Sequence, residues 1–500
     1  MSDYITTIGI EVHAELNTKT KMFCDSANDP DETRPNWNIC PICTAQPGTL
    51  PTINKEAVRQ VLRVGTAIGA TLPDFSEFDR KNYFYPDLPK GYQISQYKHP
   101  LVLGGNLNGV AITRIHLEED TARSQHSSTG SEQVGGKGET WIDFNRCGVA
   151  LMELVTEPVV HSAKEAGDFG RELQLLLRTL GASDADMEKG QMRVEANISI
   201  SKGPNIFGLN QSERLIGRTS ADGALVLGTK VEVKNINSFR AMERAIEYEV
   251  ARHAQVLERG EKVAQETRGW DEDRGVTFSQ RSKENAHDYR YFPEPDLPKL
   301  YRSQMPEFSD EALKASLPEL PWERRKRYKE TFGLKADDVE MFVRNLALGN
   351  FFEAVCKELG GDPTLGKSAA NYIASDLASH LKDEAKKLEA LSPQDFAELV
   401  RMAANDEVSS RGAKDILAAM IVAEGAPRAI AKKKALFQKS DEGELKEIVI
   451  AVIAQNEKAV AEYKAGKEAS LQYLVGHCMQ ASKGSGNPQV FQKLLKEMLY

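Results

Sequence analysis

Hydrophobic and polar positions alternate through the first half of the chain, and the alternation fades beyond residue 300. In residues 5–16, Ile10, Val12, Ala14 and Leu16 share one side, and Glu11, His13 and Glu15 share the other. A period of two marks a half-buried strand. The same spacing groups Arg114, His116, Glu118 and Asp120, and then Val149, Leu151, Glu153, Val155 and Glu157. In residues 191–200, Met192, Val194, Ala196, Ile198 and Ile200 face one way, and Arg193, Glu195, Asn197 and Ser199 the other. Lys230, Glu232 and Lys234 repeat the pattern in residues 229–239. Helical spacing runs from the cap Asn54 to about Ala70, through 161–180 with its leucines, and from Phe239 to about Arg259. Together these predict an α+β fold. A central antiparallel sheet carries helices on its apolar side and a wide polar concavity on the other.

Charge changes that picture. A carboxylate at Glu153 among apolar neighbours is costly to bury unpaired. Two unit charges ~4 Å apart repel by roughly 4 kcal/mol at an effective dielectric of ~20. Acids gathered on these strands therefore need protons, basic partners or a metal ion. On the alternation alone, a cation-binding catalytic face and scattered, solvated strand charge both stand.

Between the periodic segments lie passages without period. Residues 78–97, FDRKNYFYPDLPKGYQISQY, pack six aromatics among basic and amide groups. Arg80 and Lys81 suit phosphates there, and Tyr83 or Tyr85 a base. Residues 124–139 read as a hairpin tip whose GGKG lacks the spacing of a phosphate loop. Residues 287–300, HDYRYFPEPDLPKL, mark a domain seam. Beyond it, helical patterns dominate, which divides the chain into 1–298, a helical unit 299–390 and a helical tail 391–500. Within that part, Gly361 to Ser368 spells a phosphate-loop pattern. The preceding NFFEAVCKELGG is helical rather than a strand, so an ordinary turn is expected, with Ser368 as a helix cap.

Five hundred residues with a net charge of −9 exceed one typical core and exclude a generally basic, nucleic-acid-coating surface. The start, MSDYITTIGIEVH, has no secretory pattern, and no apolar run approaches ~18 residues. A cytoplasmic protein without a membrane span is expected. Cys24, Cys40 and Cys43 cluster, and the C-x-x-C pair suits a zinc knuckle, although a closed site uses four ligands. Small buried or reactive thiols are the other reading. Cys147, Cys356 and Cys478 are dispersed, which fits reduced thiols.

The quoted segments, with IGIEVHAELNTKTKMFC, CPICTAQPGTLP, HLEEDTARS, DFNRCG, LMELVTEP and VEVKNINSFRAMERAIEYE, together resemble the B-subunit family of bacterial glutamyl/aspartyl-tRNA amidotransferases. The likeness runs from Ile8 to about Pro298 and continues through VSSRGAKDIL, LQYLVG and ASKGSGNP. It implies a cradle domain, a helical domain and a tail that contacts the tRNA outer corner. For that contact Lys483, Lys493, Lys496 and the helix end near Asn487 are candidates.

It further implies an ATP-dependent ligase that amidates Glu on tRNA(Gln) or Asp on tRNA(Asn) through an acyl-phosphate. The ammonia would come from an amidase-type glutaminase subunit, and a small stabilising subunit would complete the heterotrimer. The family's catalytic and magnesium positions fall on Glu11, His13, Glu118, Glu153 and, for the metal, Glu232, with His13 acting through water. Lys81, Tyr83, Tyr85, Arg193, Asn197 and Lys234 are candidates for the nucleotide or acyl-phosphate. Where relatives carry F-C-x-C, this chain has Phe23-Cys24-Asp25-Ser26. Three thiols remain for zinc, with Asp25 or water to complete the shell. A tRNA-independent carboxylate–amine ligase and a noncatalytic tRNA-binding scaffold are the alternatives.

Overall fold

The computed structural model describes residues 4–29, 31–126, 140–202, 227–282, 289–380, 388, 391–423, 425–438, 442–482 and 486–499. By backbone contacts the chain forms two units, Met1–Leu320 and Pro321–Tyr500.

The first unit is built on strands. The early ones are β1 (Tyr4–Glu15), β2 (Phe75–Ser76), β3 (Asp79–Asn82), β4 (Tyr92–Ser95), β5 (Val102–Leu103), β6 (Asn106–Leu107) and β7 (Val110–Glu119). There follow β8 (Arg123–His126), β9 (Thr140–Asp143), β10 (Ala150–Thr156), β11 (Met192–Lys202) and β12 (Val231–Ile236). The last are β13 (Glu266–Asp271), β14 (Val276–Ser282), β15 (Phe292–Pro293) and β16 (Leu300–Tyr301). Nine strands make one sheet in the order β14-β13-β12-β11-β1-β10-β7-β5, with β6 on β7. The pairing is antiparallel except for β12 and β13, which run parallel because α3 (Phe239–Glu258) crosses over between them.

The alternation read in the sequence is realised in β1. Ile8, Ile10, Val12 and Ala14 are fully buried on the core side, whereas Glu11, His13 and Glu15 keep part of their surface. Helices α1 (Lys55–Ala67) and α2 (Ala163–Leu180) cover the core side together with α3. Each begins at a side-chain cap. The Asn54 side chain accepts from the backbone N–H of Glu56 and Ala57, Ser162 from Glu165, and Ser238 from Ala241. Such caps satisfy amides that the first turn leaves unpaired. Gly170 of α2 lies where a Cβ would stand 2.6 Å from the Phe239 ring, so the two helices approach closely there.

The proline-rich passage after residue 289 is stitched into this unit. β15 pairs with β3, and β16 with β2. Arg80 is committed to the same seam, donating to Glu294 at 2.7 and 2.8 Å. β8 and β9 pair as a hairpin, and its tip lies outside the described residues.

The second unit is helical. Tyr328, Phe332, Phe342 and Phe352 pack ring against ring in its first part. A second core joins Leu445, Val449, Leu471, Leu474, Phe491 and Leu495. The phosphate-loop letters fall at the end of helix Leu346–Glu358 and the start of helix Pro363–Asn371. Asp362 is the cap, accepting from Thr364 and Leu365. Ser368, expected as a cap, sits inside the helix, because the Asp362 side chain already satisfies the first amides. No helix among the described residues is long and apolar enough to cross a membrane.

Candidate active site

Strand register decides what the polar face brings together. His13 of β1 stands opposite Glu153 of β10, and Glu153 opposite His116 of β7. On the other side of β1, Glu11 stands opposite Glu195 of β11, and Asn197 opposite Glu232 of β12. Two residues apart on one strand, Glu11 and His13 point to the same face and anchor two neighbouring groups.

In the first group, His13, Glu118 and Glu153 offer ligand atoms within 4.8 Å of one another. His13 Nε2 lies 3.3 Å from Glu153 and 3.6 Å from Glu118, and His116 Nε2 is 3.3 Å from Glu153. Ser95 Oγ donates to Glu118 at 3.2 Å, and Lys81 Nζ stands 4.0 Å from the same carboxylate. Burial opposes the charged form of His13. Its hydrogen bond to Glu153 and the charges of Glu153, Glu118 and Glu195 prevail, raising it to about 9. Burial likewise opposes the Glu153 carboxylate, but His116 and His13 hold it well below the usual range. Lys81 is raised, with Glu118 outweighing burial.

In the second group, Glu11, Glu195 and Glu232 offer oxygens within 4.8 Å of one another. Asn197 Nδ2 donates to Glu11 at 2.8 Å, and Thr267 Oγ1 to Glu232 at 2.7 Å. Lys234 Nζ bridges Glu195 at 2.9 Å and Glu232 at 3.6 Å. Burial and the charges of Glu153, Glu195 and Glu232 push the Glu11 carboxyl up. Carboxylate oxygens converging from several strands are the donor set of a hard cation such as magnesium. The residues present fit that ion. His13 is the soft member of the set and is already held between two carboxylates.

The five candidate metal positions thus divide between two adjoining groups. Glu195 joins them although it was not singled out in the sequence, and His116 braces Glu153. Both were visible in the same alternation that exposed Glu11 and Glu153. Arg193 is taken up by Asp120, with Nη2 2.9 Å from both its oxygens, beside Arg146. Tyr83 lies near Lys81 and meets Tyr289 edge-on, whereas Tyr85 is 63% exposed.

The three cysteines also meet, Cys24 Sγ to Cys43 Sγ at 3.4 Å and Cys40 to Cys43 at 3.6 Å. Ser26 Oγ is 3.5 Å from Cys43, and the buried Lys21 ammonium donates to Cys43 at 3.7 Å. Asp25 is exposed and is not among the grouped donors. The corner supplies three of the four soft donors of a structural zinc site, with an ammonium against the third.

In the tail, Asn487 caps helix Pro488–Leu499 through Gln489, and Lys493 pairs with Glu497 at 3.9 Å. Lys496 stands in the last turn of that helix, and Lys483 lies outside the described residues.

Two family profiles match the chain, the GatB/GatE catalytic domain over residues 6–305 and the GatB domain over residues 350–499. The chain is 41% identical to the B subunit of the aspartyl/glutamyl-tRNA(Asn/Gln) amidotransferase of Thermomicrobium roseum, over 99% of both chains. It is 42% identical to that of Dehalococcoides mccartyi strain CBDB1, over 100% of this chain and 99% of the relative. To that of Crocosphaera subtropica it is 38% identical, over 100% and 98%.

Proposed function

The chain belongs to the B-subunit family of aspartyl/glutamyl-tRNA(Asn/Gln) amidotransferases, and from that premise we propose that its acid-rich sheet face activates the side-chain carboxylate of a misacylated aminoacyl-tRNA for attack by ammonia. The protein is a component of an enzyme, a ligase that forms a carbon–nitrogen bond on aminoacyl-tRNA. The observation that carries the site is the convergence of two acid groups across β12, β11, β1, β10 and β7.

A carboxylate is a poor acyl donor. A carboxylate oxygen attacks the γ-phosphorus of ATP and ADP leaves, so that this oxygen becomes part of a good phosphate leaving group. Ammonia then displaces it, giving the amide and hydrogen phosphate, which takes up the proton that nitrogen loses. Both steps gather negative charge, and preorganised cations are the means of stabilising it. Glu11, Glu195 and Glu232 on one side, and Glu118 and Glu153 on the other, would hold magnesium, which neutralises and orients phosphate oxygens when bound. His116 and His13 keep Glu153 ionised at neutral pH. Lys81 faces the phosphoryl group from the rim, and Lys234 with Asn197 orients the second acid group. Arg193 serves at one remove, fixing Asp120 at the end of β7.

The sequence carries no Ser-rich amidase motif, so the ammonia comes from a glutaminase partner in the same assembly. A small stabilising partner completes that assembly in the cytoplasm. Residues 391–500 meet the tRNA away from its acceptor end. The test compares Glu118→Ala and Glu153→Ala in the assembled complex. Amidation of Glu-tRNA(Gln) or Asp-tRNA(Asn) is lost while tRNA binding persists. If amide formation survives both changes, the reading fails.

A further inference from the structure

An aromatic and basic rim leads outward from the acid face. Lys81 Nζ, next to Glu118, lies 5.3 Å from the centre of the Tyr289 ring. Tyr289 meets Tyr83 and Tyr291 edge-on, each with ring centres 6.0 Å apart. Tyr291 then stacks flat on Tyr97, at 4.3 Å and 7°. Tyr97 ends this series, 52% exposed, with the exposed Lys98 directly after it. Its backbone N–H donates to Asp79 at 2.9 Å, which anchors the platform to β3.

The segment between the two tyrosines is held in a costly shape. Arg290 has φ +44°, a left-handed conformation that non-glycine residues rarely adopt. Asn82 enforces it, its backbone N–H donating to Tyr289 O at 2.9 Å and its side chain to Tyr289 O and Arg290 O at 3.2 and 2.8 Å. Such strain persists only where its surroundings impose it, and it clusters at ligand clamps. Here it sets Tyr289 beside Lys81 and Tyr291 against Tyr97.

We propose that the Tyr97–Tyr291 stack is the platform for the unpaired adenine base at the 3′ end of the aminoacyl-tRNA, with Lys98 and Arg290 flanking it for the adjoining phosphates. The proposal rests on the function inferred above. With the side-chain carboxylate at Glu118 and Lys81, the terminal base would lie beyond the aminoacyl carbons, the ester and the ribose, and this rim supplies the stacking rings linked to that point. Stacking on aromatic rings beside basic side chains is how proteins hold unpaired bases. ATP carries the same base, so the test separates the two sources. Tyr97 is a positioning residue in this account.

In the full complex, Tyr97→Ala raises KM for Glu-tRNA(Gln) at least about fivefold, while kcat and KM for ATP stay near wild type. A tRNA carrying 2-aminopurine in place of its terminal adenine is quenched on binding wild type and not on binding Tyr97→Ala. Tyr97→Phe restores both. The proposal is overturned if Tyr97→Ala leaves KM and quenching unchanged, or if it raises KM for ATP alone, which would put the ATP base on the platform. Should the wild-type complex fail to amidate, the functional reading falls instead. The quenching arm needs no turnover and still judges the platform.

Discussion

Two buried ionic clusters occupy opposite faces of the same sheet. Adjacent residues of β13 divide between them. Thr267 donates to Glu232 on the acid face, and Arg268 Nε lies 3.2 Å from Glu249 on the helix side. Glu249 of α3 also meets Arg252 at 2.7 Å, His253 at 3.1 Å and the Thr277 hydroxyl. Arg268 also pairs with Glu266, so two carboxylates there meet two guanidinium groups and an imidazole. The acid face has the reverse balance in its second group, with Glu11, Glu195 and Glu232 against Lys234, while in its first group Glu118 and Glu153 meet Lys81, Arg114 and two imidazoles. A cluster whose charges close on themselves holds the fold together. One left rich in a single sign, with part of its surface open, holds binding capacity that only a cation or a substrate can satisfy.

The contrast breaks most visibly in activity. Glu153→Ala lowers amidation by about a thousandfold, ~4 kcal/mol of barrier, measured as kcat/KM of the complex. Its melting temperature falls less than that of Glu249→Ala, since losing the bonds to His13 and His116 is partly offset by relief of the repulsion between Glu153 and Glu11.

The next effect belongs to stability. Glu249→Ala removes the carboxylate that Arg252 and Arg268 share under α3, leaving Arg268 its pair with Glu266, and costs about 3 kcal/mol in urea unfolding. Amidation by the folded fraction remains within a few-fold of wild type. A stability loss for Glu153→Ala equal to that for Glu249→Ala would erase the distinction between the faces.

Smaller again is the response to metal. Magnesium at about a hundred times its dissociation constant stabilises the wild-type chain by ~2.7 kcal/mol. The gain disappears in the Glu11→Ala/Glu232→Ala double variant and persists in Glu249→Gln.

The smallest effect concerns pH. Against the opposing effect of burial, His253, Arg252 and Thr277 hold Glu249 down at about 2. A depressed folded value means the carboxylate contributes its stability above the usual carboxyl range. That contribution drains away as pH falls from ~4.5 toward 2. Unfolding followed across that window shows a steeper loss for wild type than for Glu249→Gln.

The acid face was legible in the sequence because strands with one polar side advertise it. Glu11 with His13, Glu118, and Glu153 each sit in strict period two, and α1 announces itself through Asn54 and α2 through its leucines. What alternation could not supply is lateral register. Whether Glu11 keeps company with Glu153 or with Glu195 and Glu232 depends on β1 lying between β10 and β11, partners far away in the chain. The same gap hid the pairing of Arg193 with Asp120. Glu249 was invisible for another reason. In FRAMERAIEYEVARHAQ a glutamate followed three residues later by arginine reads as a solvated helix pair, and only β13 and β14 folding over it bury the pair.

The most direct test of the acid face supplies the complex with Glu-tRNA(Gln) and γ-labelled ATP, no ammonia source, and hydroxylamine as a trap. Wild type yields glutamyl-hydroxamate on the tRNA with release of one labelled phosphate, and Glu118→Ala and Glu153→Ala yield neither. Hydroxamate formed at the wild-type rate by these variants would contradict the account.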